Sequence, residues 1–301
     1  MMKPAWINVR YNENRIRPVA DYLDQKGIPT VCESALCPNR WTCYANREIT
    51  FMILGEICTR QCGFCGVSKG VPGNTGNHES AAILNTVRWL GADYVVITSV
   101  TRDDLPDGGA GQFAEMVRIL RAAGIQVEVL IPDFNGDEES IQAVLEAQPA
   151  VAGHNMETVQ GLYQAVRPLS DYATSLSVLG IIKKSGKNII TKSGFMLGLG
   201  ETIPQVKELM RDIRDTGCDA LTIGQYLKPL PENEDVKTYV HPGVFRMLEE
   251  YGYGLGFNVV RASPLVRSSF MAKDMWMEAL GKKGPSVGGS GGQGFHKEDI
   301  C

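Results

Sequence analysis

Three cysteines fall within eight residues, Cys58-Thr59-Arg60-Gln61-Cys62-Gly63-Phe64-Cys65. Thiolates are soft ligands, and three of them at Cys-x3-Cys-x2-Cys can hold three irons of a 4Fe–4S cube. The fourth iron then has no protein ligand, and an open position separates a reactive metal centre from a structural one. A zinc knuckle would use paired Cys-x2-4-Cys and four protein ligands, and a redox dithiol needs only Cys62 and Cys65. Neither accounts for three cysteines at this spacing. A second set, Cys32, Cys37 and Cys43, follows Cys-x4-Cys-x5-Cys, and Pro38-Asn39 inside it favours a turn that lets the thiols converge. The alternatives are unrelated core cysteines or a zinc site short of a ligand. Two such sets so close together read instead as a second cluster that needs a fourth ligand from elsewhere.

The rest of the composition bounds what surrounds these thiols. The chain has 301 residues, enough to bury a core of barrel size. Thirty basic side chains stand against 34 acidic ones, and no basic run carries interleaved aromatics, so nucleic acid is not an expected partner. No apolar run approaches the roughly 18–20 residues of a membrane span. With no apolar signal core at the start, the expected location is the cytoplasm, where thiols stay reduced and free to bind metal. Six of the eight cysteines lie between Cys32 and Cys65, whereas a disulfide framework would spread further. Cys218 reads as a small buried apolar residue, and Cys301 has no expected role.

The elements that must position the thiols follow from periodicity. Residues 1–31 read as an irregular arm with a short helix near Val19–Leu23. From residue 49 strands are expected at 49–54, 93–98, 125–131, 149–154, 191–197 and 219–224. The run Ile125-Gln126-Val127-Glu128-Val129 alternates apolar and polar residues. Between strands, Phe113, Met116, Val117 and Leu120 keep helical spacing, as do Val206, Leu209, Met210 and Ile213. A further helix is expected over 243–255. Six strand–helix units imply parallel strands with right-handed crossovers, and six are too few for the closed eight-unit barrel. The expected fold is α/β, a partial (β/α)6 barrel whose site lies at the carboxyl ends of the strands, where the loop after the first strand delivers Cys58, Cys62 and Cys65. The expected division is an N-terminal extension over 1–47, a barrel core over 48–256, a C-terminal segment over 257–280 and a flexible Gly/Ser-rich tail over 281–301.

Three strand-end loops are rich in polar groups: Thr98-Ser99-Val100-Thr101-Arg102-Asp103-Asp104-Leu105-Pro106-Asp107-Gly108-Gly109, His154-Asn155-Met156-Glu157-Thr158, and Lys192 to Glu201 with Gly194, Met196, Gly198 and Gly200. Each alone is consistent with a turn or a helix start. All three at one barrel mouth point to a ligand site.

The first of these features, Cys-x3-Cys-x2-Cys after a first strand, resembles the radical S-adenosylmethionine (SAM) superfamily. The paired cysteine sets, Thr98 to Leu105, His154 to Thr158, Leu197 to Glu201, Gly224-Gln225-Tyr226-Leu227 and Arg267-Ser268-Ser269 together resemble the lipoyl synthase family over roughly residues 1–275. The resemblance implies a sulfurtransferase that replaces hydrogen by sulfur at carbons 6 and 8 of an octanoyl chain amide-linked to a lysine of a lipoyl carrier protein. It implies two 4Fe–4S clusters and SAM as cofactors. Cys58, Cys62 and Cys65 would hold the cluster that cleaves SAM. Cys32, Cys37 and Cys43 would hold an auxiliary cluster that gives up sulfur, with Ser269 as its fourth ligand. Phe270 stands where the family usually has Tyr. Asn155 and Glu157 are the expected ribose contacts, Gly198 and Glu201 belong to a pattern near the adenine, and Thr101 and Asp103 are candidates for the methionyl end. Expected partners are the octanoylated lipoyl domains of 2-oxoacid dehydrogenases and the glycine cleavage H protein, a low-potential electron donor, and an iron–sulfur carrier that rebuilds the auxiliary cluster. The alternatives are another two-cluster radical SAM sulfur inserter and an iron–sulfur electron carrier.

Overall fold

The computed structural model describes residues 3–7, 13–73 and 79–282. The tail expected beyond residue 281, with Cys301, lies outside these from 283 onwards. Seven strands form one sheet: β1 (Thr50–Ile53), β2 (Tyr94–Ser99), β3 (Gln126–Leu130), β4 (Val151–Gly153), β5 (Ile190–Leu197), β6 (Ala220–Gln225) and β7 (Val259–Ala262). They pair in sequence order, and every ladder is parallel. Parallel neighbours need crossovers, and the chain supplies them as helices: α1 (Glu13–Lys26), α2 (Val31–Ser34) and α3 (Arg40–Ala45) precede the sheet. Then α4 (Glu79–Leu90), α5 (Ala110–Ala122), α6 (Glu138–Glu146), α7 (Tyr163–Val166), α8 (Tyr172–Lys184), α9 (Ile203–Asp215) and α10 (Pro242–Gly254) link the strands, and α11 (Ala272–Ala279) follows β7.

Each predicted strand is present within a few residues. The apolar faces of α5 (Phe113, Met116, Val117, Leu120) and α9 (Val206, Leu209, Met210, Ile213) are buried, each large side chain contributing on the order of 1.5–3 kcal/mol. Asp137 ends the approach to α6 by accepting from the Ser140 N–H at 3.0 Å. Two expectations change. The helix near Val19–Leu23 runs from Glu13 to Lys26 and buries Ile16, Val19 and Leu23. The sheet has a seventh strand, β7, so a boundary at 256 cuts through the β6–β7 pairing. Its four residues, Val259-Val260-Arg261-Ala262, are too few to show a period and follow a Gly- and Asn-containing stretch that reads as loop.

The sheet keeps two edges, β1 and β7. The N-terminal extension covers the first: Thr30 bridges Phe51 in antiparallel fashion, and the Met52 N–H donates to the Pro29 carbonyl at 3.1 Å. The segment after β7 turns back under β2, where Lys273 meets Asp93 at 2.7 Å and Trp276 lies against Tyr94, ring centres 5.5 Å apart. The two coverings join where the Asn39 side-chain amide donates to the Leu265 carbonyl.

Candidate active site

The loop after β1 is held tightly. Ile57–Cys58 pairs with Ser68–Lys69 as a short parallel ribbon. Cys58 Sγ accepts from the N–H groups of Arg60 and Thr101, each at 3.4 Å. The Gly63 N–H donates to the Val166 carbonyl at 2.8 Å, and the Asn233 amide donates to the carbonyls of Gly63 and Cys65, both at 3.0 Å. A side chain at position 63 would come within 2.9 Å of Glu234 Cγ, so glycine permits this close approach. Arg60 is the deepest anchor, 5 % exposed. It donates to both oxygens of Asp103 (2.8 and 2.9 Å), both oxygens of Asp133 (2.7 Å each), Asn135 (2.7 Å) and Ser170 (2.9 Å). Burial alone would raise the Asp103 and Asp133 carboxyls, but the Arg60 guanidinium overrides it and holds both below the usual carboxylate range. Asp103 is therefore held ionised by Arg60, and it stands outside the lining of the cavity described below.

The second set is assembled from short pieces. Cys32 lies in α2, whose first turn is capped by Thr30. Cys37 follows it, with its N–H donating to the Cys32 carbonyl at 3.0 Å, and the turn at Pro38-Asn39 leads into α3 and Cys43. The Asn39–Leu265 bond ties this turn to the chain that runs on to Ser269. Burial pushes the thiols of Cys32 and Cys65 up to about 12 and also raises those of Cys43 and Cys62. Iron binds the thiolate, so loading either set must release protons.

All six cysteines and Ser269 line one cavity of about 820 Å³, at the upper end of what ligand sites span. No trio of His, Cys, Asp or Glu among the described residues closes around a single metal ion. Four-iron clusters are held by cysteine thiolates, and the shared cavity has the volume to take such bodies. Soft thiol donors at both sets, and one hydroxyl at the second, fit such clusters.

The cavity also takes in Thr101, Asn155 and Glu157. Burial raises the Glu157 carboxyl, and Arg167, the Asn155 amide and Arg267 act against that rise. Gly198 and Glu201 are not brought to the cavity wall. The Glu201 carboxylate turns back on its own strand end, accepting from the N–H groups of Gly198 (2.6 Å) and Leu199 (3.0 Å). Gly198 has φ 103°, and a Cβ there would collide with Gln225 and the Thr238 carbonyl. The two residues shape the β5 turn, while Gly194 and Met196 of the same motif do line the cavity.

Sequence reasoning missed Arg167, which is 8 % exposed on the cavity wall. Its Nη1 donates to the carbonyls of Asn155 (3.0 Å) and Met156 (3.4 Å), and its buried Nε has no hydrogen-bond partner among the described residues. An unmet buried donor costs about 1–3 kcal/mol. Also missed was the barrel floor, where Lys192 meets Glu128 at 2.8 Å and the Tyr94 hydroxyl donates to Glu128 at 2.7 Å. Glu128, a polar position of the alternating run, is 3 % exposed.

Comparison with known proteins now decides the family. The Radical SAM superfamily pattern matches residues 52–213. A lipoyl synthase of Caldicellulosiruptor bescii is 47 % identical over 277 residues, 91 % of this chain and 95 % of that protein. The chain belongs to the lipoyl synthase family. A second lipoyl synthase, from Caldanaerobacter subterraneus subsp. tengcongensis, is 49 % identical over 90 % of this chain and 95 % of its own. Among solved structures, methylornithine synthase superposes with a TM-score of 0.54 at 14 % identity, covering 92 % of this chain and 95 % of that one, a likeness of fold alone. As in the radical SAM superfamily at large, the cofactors of a lipoyl synthase include SAM and 4Fe–4S clusters, here two. No helix among the described residues is long and apolar enough to cross a membrane.

Proposed function

We propose that this chain inserts two sulfur atoms, at carbons 6 and 8, into an octanoyl chain amide-linked to a lysine of a lipoyl carrier protein. The supporting observation is the single cavity onto which both cysteine sets and Ser269 open. Cys58, Cys62 and Cys65 would hold one cluster with an iron left free, and Cys32, Cys37, Cys43 and Ser269 the other. When bound, the first cluster and SAM supply a 5′-deoxyadenosyl radical able to take hydrogen from an aliphatic carbon, and the second cluster supplies the sulfur.

An aliphatic C–H bond is beyond any side-chain base, so the work of the protein is positioning and exclusion. Arg167 would hold the carboxylate of SAM, and Asn155 and Glu157 its ribose hydroxyls. Thr101 would approach the methionyl end, its own N–H already spent on Cys58. The apolar wall of Val96, Val100, Leu130, Ile131 and Met196 would take the octanoyl chain and keep water away from it. Ser269, an oxygen ligand among thiolates, is the weakest tether of its set. Its ready release would open that set as sulfur leaves. Ser269→Cys is expected to slow sulfur transfer, and full turnover with unchanged iron loss would end this role for Ser269.

The acyl carriers are the lipoyl domains of 2-oxoacid dehydrogenases and the glycine cleavage H protein. A low-potential electron donor reduces the radical-forming centre, and an iron–sulfur carrier rebuilds the spent one. The reaction belongs in the cytoplasm on this reading, since cluster-binding thiols must stay reduced. The test is mass analysis of an octanoyl-lysyl peptide after incubation with SAM, reductant and holoenzyme whose cluster sulfide carries a heavy isotope. Two heavy sulfurs in the product are expected. Unlabelled sulfur, a single methylthio group or an unchanged peptide would each overturn the reading.

A further inference from the structure

Behind the cavity wall the polar groups form a chain that has one direction. Arg167 Nη1 donates to the Tyr163 hydroxyl at 2.6 Å, and Tyr163 donates to Ser175 Oγ at 2.7 Å. Ser175 meets His154 Nε2 at 3.0 Å, and His154 Nδ1 meets the Ile131 carbonyl at 2.9 Å. A guanidinium can only donate and a carbonyl can only accept. The ends therefore fix the middle: Nδ1 of His154 carries its hydrogen, Nε2 accepts from Ser175, and Ser175 accepts from Tyr163. The four side chains are 8, 4, 0 and 2 % exposed in the order Arg167, Tyr163, Ser175, His154, so no water competes for these bonds. Burial, with Arg167 nearby, lowers the His154 imidazole to about 4, which keeps the ring neutral and the direction single at neutral pH.

The same segment grips the cysteine loop. The Val166 carbonyl accepts from the Gly63 N–H, between Cys62 and Cys65, at 2.8 Å. The Arg167 carbonyl accepts from the Ser170 N–H at 2.9 Å, and Ser170 Oγ accepts from Arg60 at 2.9 Å. Arg167 thus stands at a joint. Its backbone side holds the loop of Cys62 and Cys65, and its guanidinium holds the carbonyls of Asn155 and Met156. The Tyr163 ring also lies under that guanidinium, 5.1 Å from ring centre to the central carbon.

On the reading of Arg167 as a SAM contact, we propose that Tyr163 is a positioning residue of the radical-forming site. Through Ser175 and His154 it anchors the Arg167 guanidinium to the strand ends at Ile131 and His154, and so sets SAM against the loop of Cys58, Cys62 and Cys65. Tyr163→Phe keeps the ring and removes only the hydroxyl. It frees one of three acceptors of a buried cation, so the guanidinium is held less firmly.

The experiment uses anaerobically reconstituted holoenzyme. In Tyr163→Phe the iron content should stay at the wild-type level. SAM affinity, read from the SAM-induced change in the electron paramagnetic resonance spectrum of the reduced protein, should weaken about tenfold. The KM for SAM should rise by a similar factor while kcat falls less than about threefold, and more 5′-deoxyadenosine should be released per sulfur inserted. Ser175→Ala breaks the chain one link further on and should show the same pattern, smaller in size; it carries the test if Tyr163→Phe does not fold. A purely structural hydroxyl would lower Tm and leave SAM affinity at the wild-type value. Arg167→Ala keeps the two levels apart. Weaker SAM binding in Arg167→Ala, with wild-type affinity in both Tyr163→Phe and Ser175→Ala, overturns the positioning role alone. Wild-type affinity in Arg167→Ala removes the underlying SAM contact as well.

Discussion

The two cysteine sets open on one cavity but are held differently. The loop of Cys58, Cys62 and Cys65 is fixed from at least four sides: the Arg60 pairs with Asp103 and Asp133, the Val166 carbonyl, the Asn233 amide, and the N–H of Thr101 on Cys58 itself. The set of Cys32, Cys37 and Cys43 rides on helices of four and six residues, and a side-chain bond, Asn39 to Leu265, ties its turn to the segment bearing Ser269. Helices this short have little stability of their own and depend on what they pack against. A centre that must stay whole through every cycle needs the first arrangement. On the proposed function, a centre that gives up its sulfur is suited by the second.

The most severe break in this comparison removes the looser set altogether. A variant with Cys32, Cys37 and Cys43 all replaced by Ala should fall from about eight irons to about four while still cleaving SAM, and sulfur insertion should be abolished. Iron and sulfide counting with a 5′-deoxyadenosine assay checks it; loss of SAM cleavage too would show that the two sets are not independent. Arg60→Ala attacks the tighter set from behind. It strands two carboxylates, Asp133 being 2 % exposed, at a cost of roughly 3–5 kcal/mol. The urea midpoint should fall accordingly and SAM cleavage should be lost, whereas an unchanged midpoint would mean the two pairs contribute nothing net.

What the residue pattern announced, and what it hid, divides along the same line. The six cysteines announce themselves because metal chemistry demands particular residue types at close spacing. The helices of Phe113–Leu120 and Val206–Ile213 announce themselves because one face must be apolar. Arg60, Arg167 and Asn233 gave no such signal. The partners of Arg60 and Asn233 lie far along the chain, Asn233 being 168 residues from Cys65, those of Arg167 have no fixed spacing, and a lone Arg or Asn in a loop looks like any solvated residue. Glu201 differs for the opposite reason: a carboxylate in a glycine-rich turn stands out in the sequence, and in the fold it accepts from the backbone amides of Gly198 and Leu199. Glu128 shows that alternation on a strand cannot separate a solvent face from a barrel interior that holds a buried ion pair with Lys192.

A smaller effect sharpens the comparison through pH. The His154 imidazole titrates near 6.5 in the unfolded chain and near 4 when folded, because burial and then Arg167 disfavour its charged form, with Asp133 opposing them. The unfolded chain therefore binds the extra proton first, and its binding favours unfolding. This contribution is fully present above pH 6.5 and lost as pH falls toward 4, reaching about 2 kcal/mol of lost stability by pH 5. Denaturant melts of the wild type should show this slope, and His154→Gln, which cannot take up the proton, should lack that part of it. Equal slopes would mean that the ring is not held neutral.

The gentlest test is Asn39→Ala, because it touches only the link between the two pieces that build the looser set. The Leu265 carbonyl loses its donor, and the cost to global stability should be only about 1 kcal/mol, since that carbonyl is half-buried and water can replace the amide. The local effect should be larger than the global one. With the turn at Pro38-Asn39 released, Ser269 is no longer held in register with Cys37 and Cys43, and the auxiliary set should lose iron to a chelator severalfold faster than in the wild type. The set of Cys58, Cys62 and Cys65 shares none of these contacts and should release its iron at the wild-type rate. Chelator kinetics resolved into two phases can read both at once. If both phases quicken together, the two cysteine sets share one scaffold, and the difference in how they are held has no bearing on which of them comes apart.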